Sequence, residues 1–121
     1  MHYIGIDIIE IARIQKAIDR WGESFLQRVY TEPELRLCRK KPSSLAARFA
    51  GKEAVMKALG TGIRGISWRE IEILAEPSGK PTVHLYDKAQ DKADGLGLDT
   101  LAISLSDSKE YAIAFVVGEA R

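Results

Sequence analysis

A chain with one cysteine, two histidines and no long apolar run forgoes several chemistries at the outset. Cys38 alone excludes an intramolecular disulfide and any cysteine-cluster metal site, and it is compatible with a reducing compartment. With no histidine near it in sequence, Cys38 reads as a structural thiol and not as a nucleophile. His2 and His84 are too isolated to read as metal ligands. No stretch reaches the ~20 apolar residues that a membrane-crossing helix needs, and Met1-His2-Tyr3-Ile4 lacks a basic segment leading into an apolar one. A cytoplasmic protein with no membrane partner is therefore expected. Charge of one sign is missing too: 18 basic residues against 17 acidic leave +1, so bulk electrostatics gives no drive toward nucleic acid. Aromatic residues make up only 7% of the chain, and Trp21 and Trp68 are expected in the core or at a subunit interface. Walker A, zinc-binding His-pair and G-x-S-x-G motifs are also absent.

What is present suits one domain spanning residues 1–121, with 45% hydrophobic and 29% charged residues. Tyr3 to Ile9 is rich in β-branched residues and shows little alternation, so it reads as a strand buried on both faces or at a sheet centre. Asp7 interrupts it. A carboxylate in such a strand is costly unless a cation holds it, or unless the strand ends early and Asp7 caps the next element. Glu10 to Trp21 has helical period, with Ile11, Ile14, Ala17, Ile18 and Trp21 on one face, and Gly22 stops it. A short second helix carries Phe25, Leu26, Val29 and Tyr30. Thr31-Glu32-Pro33-Glu34 is a capping box that opens a third helix, running to about Arg39. Arg13, Arg20, Arg28, Arg36, Arg39, Lys40 and Lys41 offer cations along this block, but from charge alone the neighbouring acids favour a solvated surface.

Ser43-Ser44 is expected to cap a fourth helix from Leu45 to Leu59, stopped by Gly60. Ala46, Ala50, Ala54 and Ala58 form a small-residue ridge that permits close approach of another element. At ~100° per residue, Arg48 and Lys52 fall on the polar side, whereas Glu53 and Lys57 fall amid the apolar one. Isolated charges there cost several kcal/mol per ion, on the order of the desolvation penalty, and so call for partners. Gly60-Thr61-Gly62-Ile63-Arg64-Gly65 has the letters of a dinucleotide fingerprint, but it follows a helix and precedes strand-like Ile66 to Leu74, the reverse of what that fold requires. It remains a small-residue loop whose backbone N–H groups, with Arg64 nearby, suit an anion. Ile71 and Ile73 mark a half-buried strand, Glu76 to Pro81 a turn, and Thr82 to Tyr86 a second strand that closes a hairpin. A helix from Tyr86 to Leu96 and strands Leu101–Ser106 and Tyr111–Val117 complete the chain. The order predicts an α+β fold with a long helix on a mainly antiparallel sheet.

Asp7 and Glu53, without Cys or His companions, suit a hard, oxygen-preferring ion, Mg²⁺ first, which typically takes one or two carboxylates and fills its shell with water and substrate phosphate oxygens. Lys57, one turn from Glu53, suits a phosphate. These residues point to a phosphate-containing substrate.

Three blocks also carry a resemblance: Gly5-Ile6-Asp7-Ile8-Ile9-Glu10-Ile11-Ala12-Arg13-Ile14, then Arg48-Phe49-Ala50-Gly51-Lys52-Glu53-Ala54 with Lys57-Ala58-Leu59-Gly60-Thr61-Gly62, then Gly79-Lys80-Pro81. In this order they resemble the holo-[acyl-carrier-protein] synthases of the 4'-phosphopantetheinyl transferase family. The resemblance implies a homotrimer that uses Mg²⁺ to transfer 4'-phosphopantetheine from coenzyme A to a serine of apo acyl carrier protein in fatty acid biosynthesis. It implies Asp7 and Glu53 as metal ligands and Lys57 at the phosphates, the three together forming the catalytic set. Arg48, Gly60, Thr61 and Gly62 match positions near the coenzyme, as do Gly79, Lys80 and Pro81, the last three reaching it from a neighbouring subunit. It also implies Arg13 and Arg28 as docking residues for the acidic carrier protein. Many members have His where this chain has Asp107, after Ser104-Leu105-Ser106, so no role of that histidine carries over. Glu53, Asp7 or a water held by the metal remain alternatives for the general base. A non-catalytic coenzyme or carrier-protein binding module and a Mg²⁺-dependent pyrophosphate hydrolase are the competing readings.

Overall fold

The computed structural model describes residues 1–61 and 65–120. A long first strand, β1 (His2–Glu10), leads into four helices: α1 (Ile11–Trp21), α2 (Glu23–Val29), α3 (Glu32–Cys38) and α4 (Pro42–Leu59). A 3₁₀ turn at Trp68–Glu70 precedes the hairpin β2 (Ile71–Ala75) and β3 (Pro81–Leu85), followed by α5 (Asp87–Gly95) and the hairpin β4 (Leu98–Asp107) and β5 (Tyr111–Ala120). The strands form two antiparallel sheets, one in the order β1-β5-β4 and one of β2 and β3. In the larger sheet Asp7 stands opposite Ala114 and Ile6 opposite Phe115, with Ser104 on the far side of Phe115.

The local signals act largely as expected. Thr31 and Glu34 form the capping box of α3. Gly60 ends α4 with a left-handed φ of 74°, its N–H bonded to the carbonyl of Lys57. The Glu76–Lys80 turn closes with Gly79 at φ 93°. Boundaries shift by a few residues at several elements, and two of the shifts have a local cause. Pro42 and the serines lie inside α4, because Lys41 takes the N-cap place and no side chain caps it. The run from Ile66 begins as a 3₁₀ turn, since the side chain of Glu70 accepts from the Ser67 N–H and closes a capping box before the strand can start.

Helix α4 is the central element, buried nearly all round. Ala46, Ala50, Ala54 and Ala58 are all buried, and across this ridge β1 comes into backbone contact with the helix. A Cβ on Gly5 would lie 1.8 Å from the carbonyl oxygen of Ala54, which no side-chain adjustment can relieve. Gly51 meets Ile73 in the same way on the side facing β2, where an added Cβ would be 2.4 Å from the Ile73 side chain. Gly5→Ala is therefore expected to destabilise the protein by at least ~1–3 kcal/mol through overpacking, and to push Asp7 away from α4. Urea unfolding checks this; wild-type stability would show that β1 can shift at little cost.

The expectation that β1 is buried on both faces or lies at a sheet centre is corrected: it is an edge strand of its sheet. Its residues alternate: Gly5, Asp7 and Ile9 face inward, whereas Ile4, Ile6 and Ile8 are 58%, 57% and 57% exposed. Tyr111, Ile113 and Phe115 of β5 are exposed as well. Both strands are apolar on two faces because both faces are built for burial, but α4 covers only one.

Candidate functional site

Asp7 leaves the inward face of β1 toward α4, and Lys57 meets it there. The Lys57 ammonium donates to Asp7 Oδ1 at 3.1 Å and to the backbone carbonyl of Ile6 at 2.9 Å. The Asp7 side chain is mostly buried and that of Lys57 half exposed. The cation that Asp7 requires is thus supplied by the helix. An ammonium has three donors; two are used here, which leaves one for an incoming oxygen. Glu53, one turn earlier on α4, is half-buried. Desolvation holds its pKa above the ordinary carboxylate value, and the charge of Asp7 raises it further against the opposing pull of Lys57 and Arg13. A carboxylate whose ionisation is opposed by a second carboxylate nearby is a fitting receptor for a divalent cation, and the hard oxygen donors suit Mg²⁺.

Arg48 lies elsewhere. Nine residues separate it from Lys57, about 180° around the helix, so the two side chains leave opposite sides of α4. Arg48 lines a cavity of about 390 Å³ with Ser44, Gly79, Pro81, Ser106 and Asp107. Its Nε is buried and hydrogen-bonds to no described residue. Of the residues expected near the coenzyme, Arg48, Gly79 and Pro81 come together around this cavity, with Lys80 exposed between the last two, while Lys57 lies with the carboxylates and Gly60 and Thr61 follow the end of α4. Gly62 and Arg64 lie outside the described residues. Within a single chain the expected site is split into two halves.

A third surface adjoins the carboxylates. Arg13, Ala17, Trp21, Phe25 and Phe49 line an open groove between α1 and α4, and Arg28 stands beside Trp21 and Phe25. Trp21, expected in a core or subunit interface, is exposed with the Arg20 guanidinium 4.9 Å from its ring centre. Trp68 is packed against Phe49 with ring centres 4.7 Å apart, a packing role as expected. Cys38 is buried, and burial pushes its thiol up to about 11, the behaviour of a structural thiol.

The helical projection of α4 misled at one point. Lys52, assigned to the polar side, is fully buried and paired with buried Glu34 at 2.8 Å, whereas Lys57, assigned to the apolar side, is the exposed lysine. Projection assumes that one side of a helix faces water; α4 is enclosed by β1, β2 and the helical block. No local pattern signals that Glu34 partners Lys52, since the two are 18 residues apart.

A sequence model of the 4'-phosphopantetheinyl transferase superfamily matches residues 3–116. The chain belongs to this superfamily. Among curated members it is 55% identical to a holo-[acyl-carrier-protein] synthase of Dehalococcoides mccartyi, over 98% of this chain and 99% of that protein. It is 50% identical to that of Herpetosiphon aurantiacus, over 94% of this chain and 95% of that one. The structure matches that of Helicobacter pylori holo-[acyl-carrier-protein] synthase in complex with coenzyme A, with a TM-score of 0.88 at 40% identity over 96% of this chain and 99% of that chain. As a member of a transferase superfamily whose matched relatives are synthases, the protein is an enzyme with the α+β fold of that family. No helix among the described residues is long and apolar enough to cross a membrane.

Proposed function

We propose that this single-domain protein is a cytoplasmic holo-[acyl-carrier-protein] synthase, which moves 4'-phosphopantetheine from coenzyme A to apo acyl carrier protein for fatty acid biosynthesis. The observation that carries this reading is the convergence of Asp7, Glu53 and Lys57 from β1 and α4, on a chain whose close relatives are synthases. Asp7 and Glu53 would hold Mg²⁺. When bound, the ion would neutralise pyrophosphate charge and stabilise the charge that develops in transfer.

The remaining work falls to the chain's own side chains. Lys57, anchored by Ile6 and Asp7, presents its free N–H to a phosphate oxygen. The carrier serine hydroxyl gives up its proton to Glu53, Asp7 or a water, its oxygen bonds to the β-phosphorus, the bond from that phosphorus to the bridging oxygen breaks, and adenosine 3',5'-bisphosphate leaves with the electron pair. Arg48 would meet the coenzyme from the other half-site with the Gly79–Pro81 turn. Since Arg48 and Lys57 point to opposite sides of α4, one coenzyme reaches both only where the Arg48 half of one subunit faces the Lys57 half of the next. The exposed face of Ile4, Ile6, Ile8, Ile113 and Phe115 offers the apolar surface for a homotrimer. Phe115→Asp is expected to yield monomers without transferase activity; sedimentation showing an intact trimer would remove this face as the interface.

Arg13 and Arg28 flank the Trp21–Phe25 groove and suit the acidic carrier protein. Arg13 also bears on Glu53, which connects the docking groove to the carboxylates. Incubation with Mg²⁺, coenzyme A and apo carrier protein, followed by weighing the carrier, tests the function. A gain of one phosphopantetheine supports it. Binding without turnover would favour a non-catalytic module, and bisphosphate release without carrier would indicate a hydrolase.

A further inference from the structure

The largest buried polar cluster among the described residues takes no part in the proposed chemistry. At its centre the Lys52 ammonium donates to Glu34 Oε1 at 2.8 Å, to the Trp68 carbonyl at 3.1 Å and to the Ile71 carbonyl. All three of its donors are therefore used. Glu34 Oε1 also accepts from the Thr31 N–H at 2.9 Å, and Oε2 from the Ile73 N–H at 2.8 Å. Behind them Glu72 accepts from the Thr31 hydroxyl at 2.6 Å and from the Tyr86 hydroxyl at 2.8 Å. Lys52 and Glu34 are wholly buried. The cluster joins the N-terminus of α3, the middle of α4, the 3₁₀ turn and β2.

Such a cluster is a poor way to gain stability, since buried ion pairs are often replaceable by apolar residues at no loss. What it supplies is geometry. Lys52 immediately precedes Glu53 and stands five residues before Lys57, about 100° and 140° away around the helix, so its side chain fixes the rotation of α4 about its own axis from a different side than the one that carries Glu53 and Lys57. A side-chain group sits ~5–6 Å from a helix axis, so a turn of about 10° moves it by about 1 Å. Three hydrogen bonds from one desolvated ammonium, two of them to backbone carbonyls, oppose such a turn. The ridge of alanines under β1 does not, because small residues form a smooth surface.

We infer that Lys52 is a positioning residue: its buried ammonium, held by Glu34 and the Trp68 and Ile71 carbonyls, sets the rotation of α4 and thereby aims Glu53 and Lys57 at the metal and the pyrophosphate. This rests on the proposed function for what is aimed at, but not for the clamp itself. The test compares wild type with Lys52→Met/Glu34→Gln, which removes both buried charges and so leaves neither uncompensated, and with Glu34→Gln, which keeps both carbonyl bonds. Each is measured below its own unfolding midpoint. Cooperative unfolding is expected for both, with KM for coenzyme A and the directly titrated Mn²⁺ dissociation constant raised about 10- to 100-fold in the double variant and less in Glu34→Gln. A purely structural role would lower the amount of folded enzyme and leave KM and the Mn²⁺ constant in place. Values within about twofold of wild type in the folded double variant would overturn the inference, and if that variant does not fold, unchanged values in Glu34→Gln do so. Should wild type transfer nothing to any carrier, the functional reading fails on its own, and the Mn²⁺ titration still reports on the clamp.

Discussion

Glu53→Gln is expected to lower metal-dependent transfer by at least ~10²-fold while leaving the fold intact and the metal-free protein slightly more stable. The two effects have one cause. Glu53 is ionised against desolvation and against the charge of Asp7, with Lys57 and Arg13 only partly offsetting both, so its pKa in the folded protein is raised. Between the ordinary carboxylate range and that raised value the folded chain binds more protons than the unfolded one, and stability falls as pH rises through this window. The cost is fully present above the raised pKa and absent at pH below the unfolded value. Glutamine removes it, so the melting temperature of metal-free Glu53→Gln should exceed that of wild type at neutral pH and converge with it in acid. Added Mg²⁺ should reverse the order, because only wild type gains from binding. Near-wild-type turnover in the variant would show that Glu53 is a surface carboxylate with no ligand role, whatever its effect on melting.

Mixing two inactive variants should restore activity. Arg48→Ala damages one half-site and Glu53→Gln the other, and the halves lie on opposite sides of α4. If each coenzyme site in a cyclic trimer takes its Arg48 half from one subunit and its Glu53 half from the next, some sites in a mixed trimer contain two intact halves. After unfolding and refolding an equimolar mixture, about a quarter of sites are expected to be whole, because each half is independently intact in half of the subunits. Neither variant alone can form a whole site. Activity that stays at the level of the separate variants, in trimers verified as mixed by mass, would place both halves on one chain or show one residue to be dispensable. Arg48→Ala has little structural cost to confuse the result, since its Nε hydrogen-bonds to no described residue and lies in a cavity wall.

The elements themselves were largely legible in the chain. The capping box at Thr31–Glu34, the glycine stop at Gly60 and the turn before Pro81 are local, depending on hydrogen bonds and φ values that neighbouring residues dictate. Asp7 could be singled out because a carboxylate in a β-branched strand has no favourable isolated state. The alanine ridge of α4 foretold a close approach, and Gly5 against Ala54 is that approach. The errors fell where burial depends on what arrives from far along the sequence. Lys52 was assigned to water because its periodicity is polar, yet Glu34, Trp68 and Ile71 enclose it. The outer face of β1 was expected to be covered, yet among the described residues Ile4, Ile6 and Ile8 stay exposed.

By itself, then, the sequence determined the order and type of the elements and the chemical character of the acid pair, since propensity, capping and the cost of an unpaired charge act over a few residues. Only the tertiary structure decided which lysine partners which carboxylate. It put Lys57 on Asp7 and Lys52 on Glu34, set Arg48 on the opposite side of α4 from Lys57, and left an apolar sheet face open. Those outcomes depend on the packing of α4 against β1 and β2, and desolvation turns each such contact into a choice between a paired charge and a large penalty.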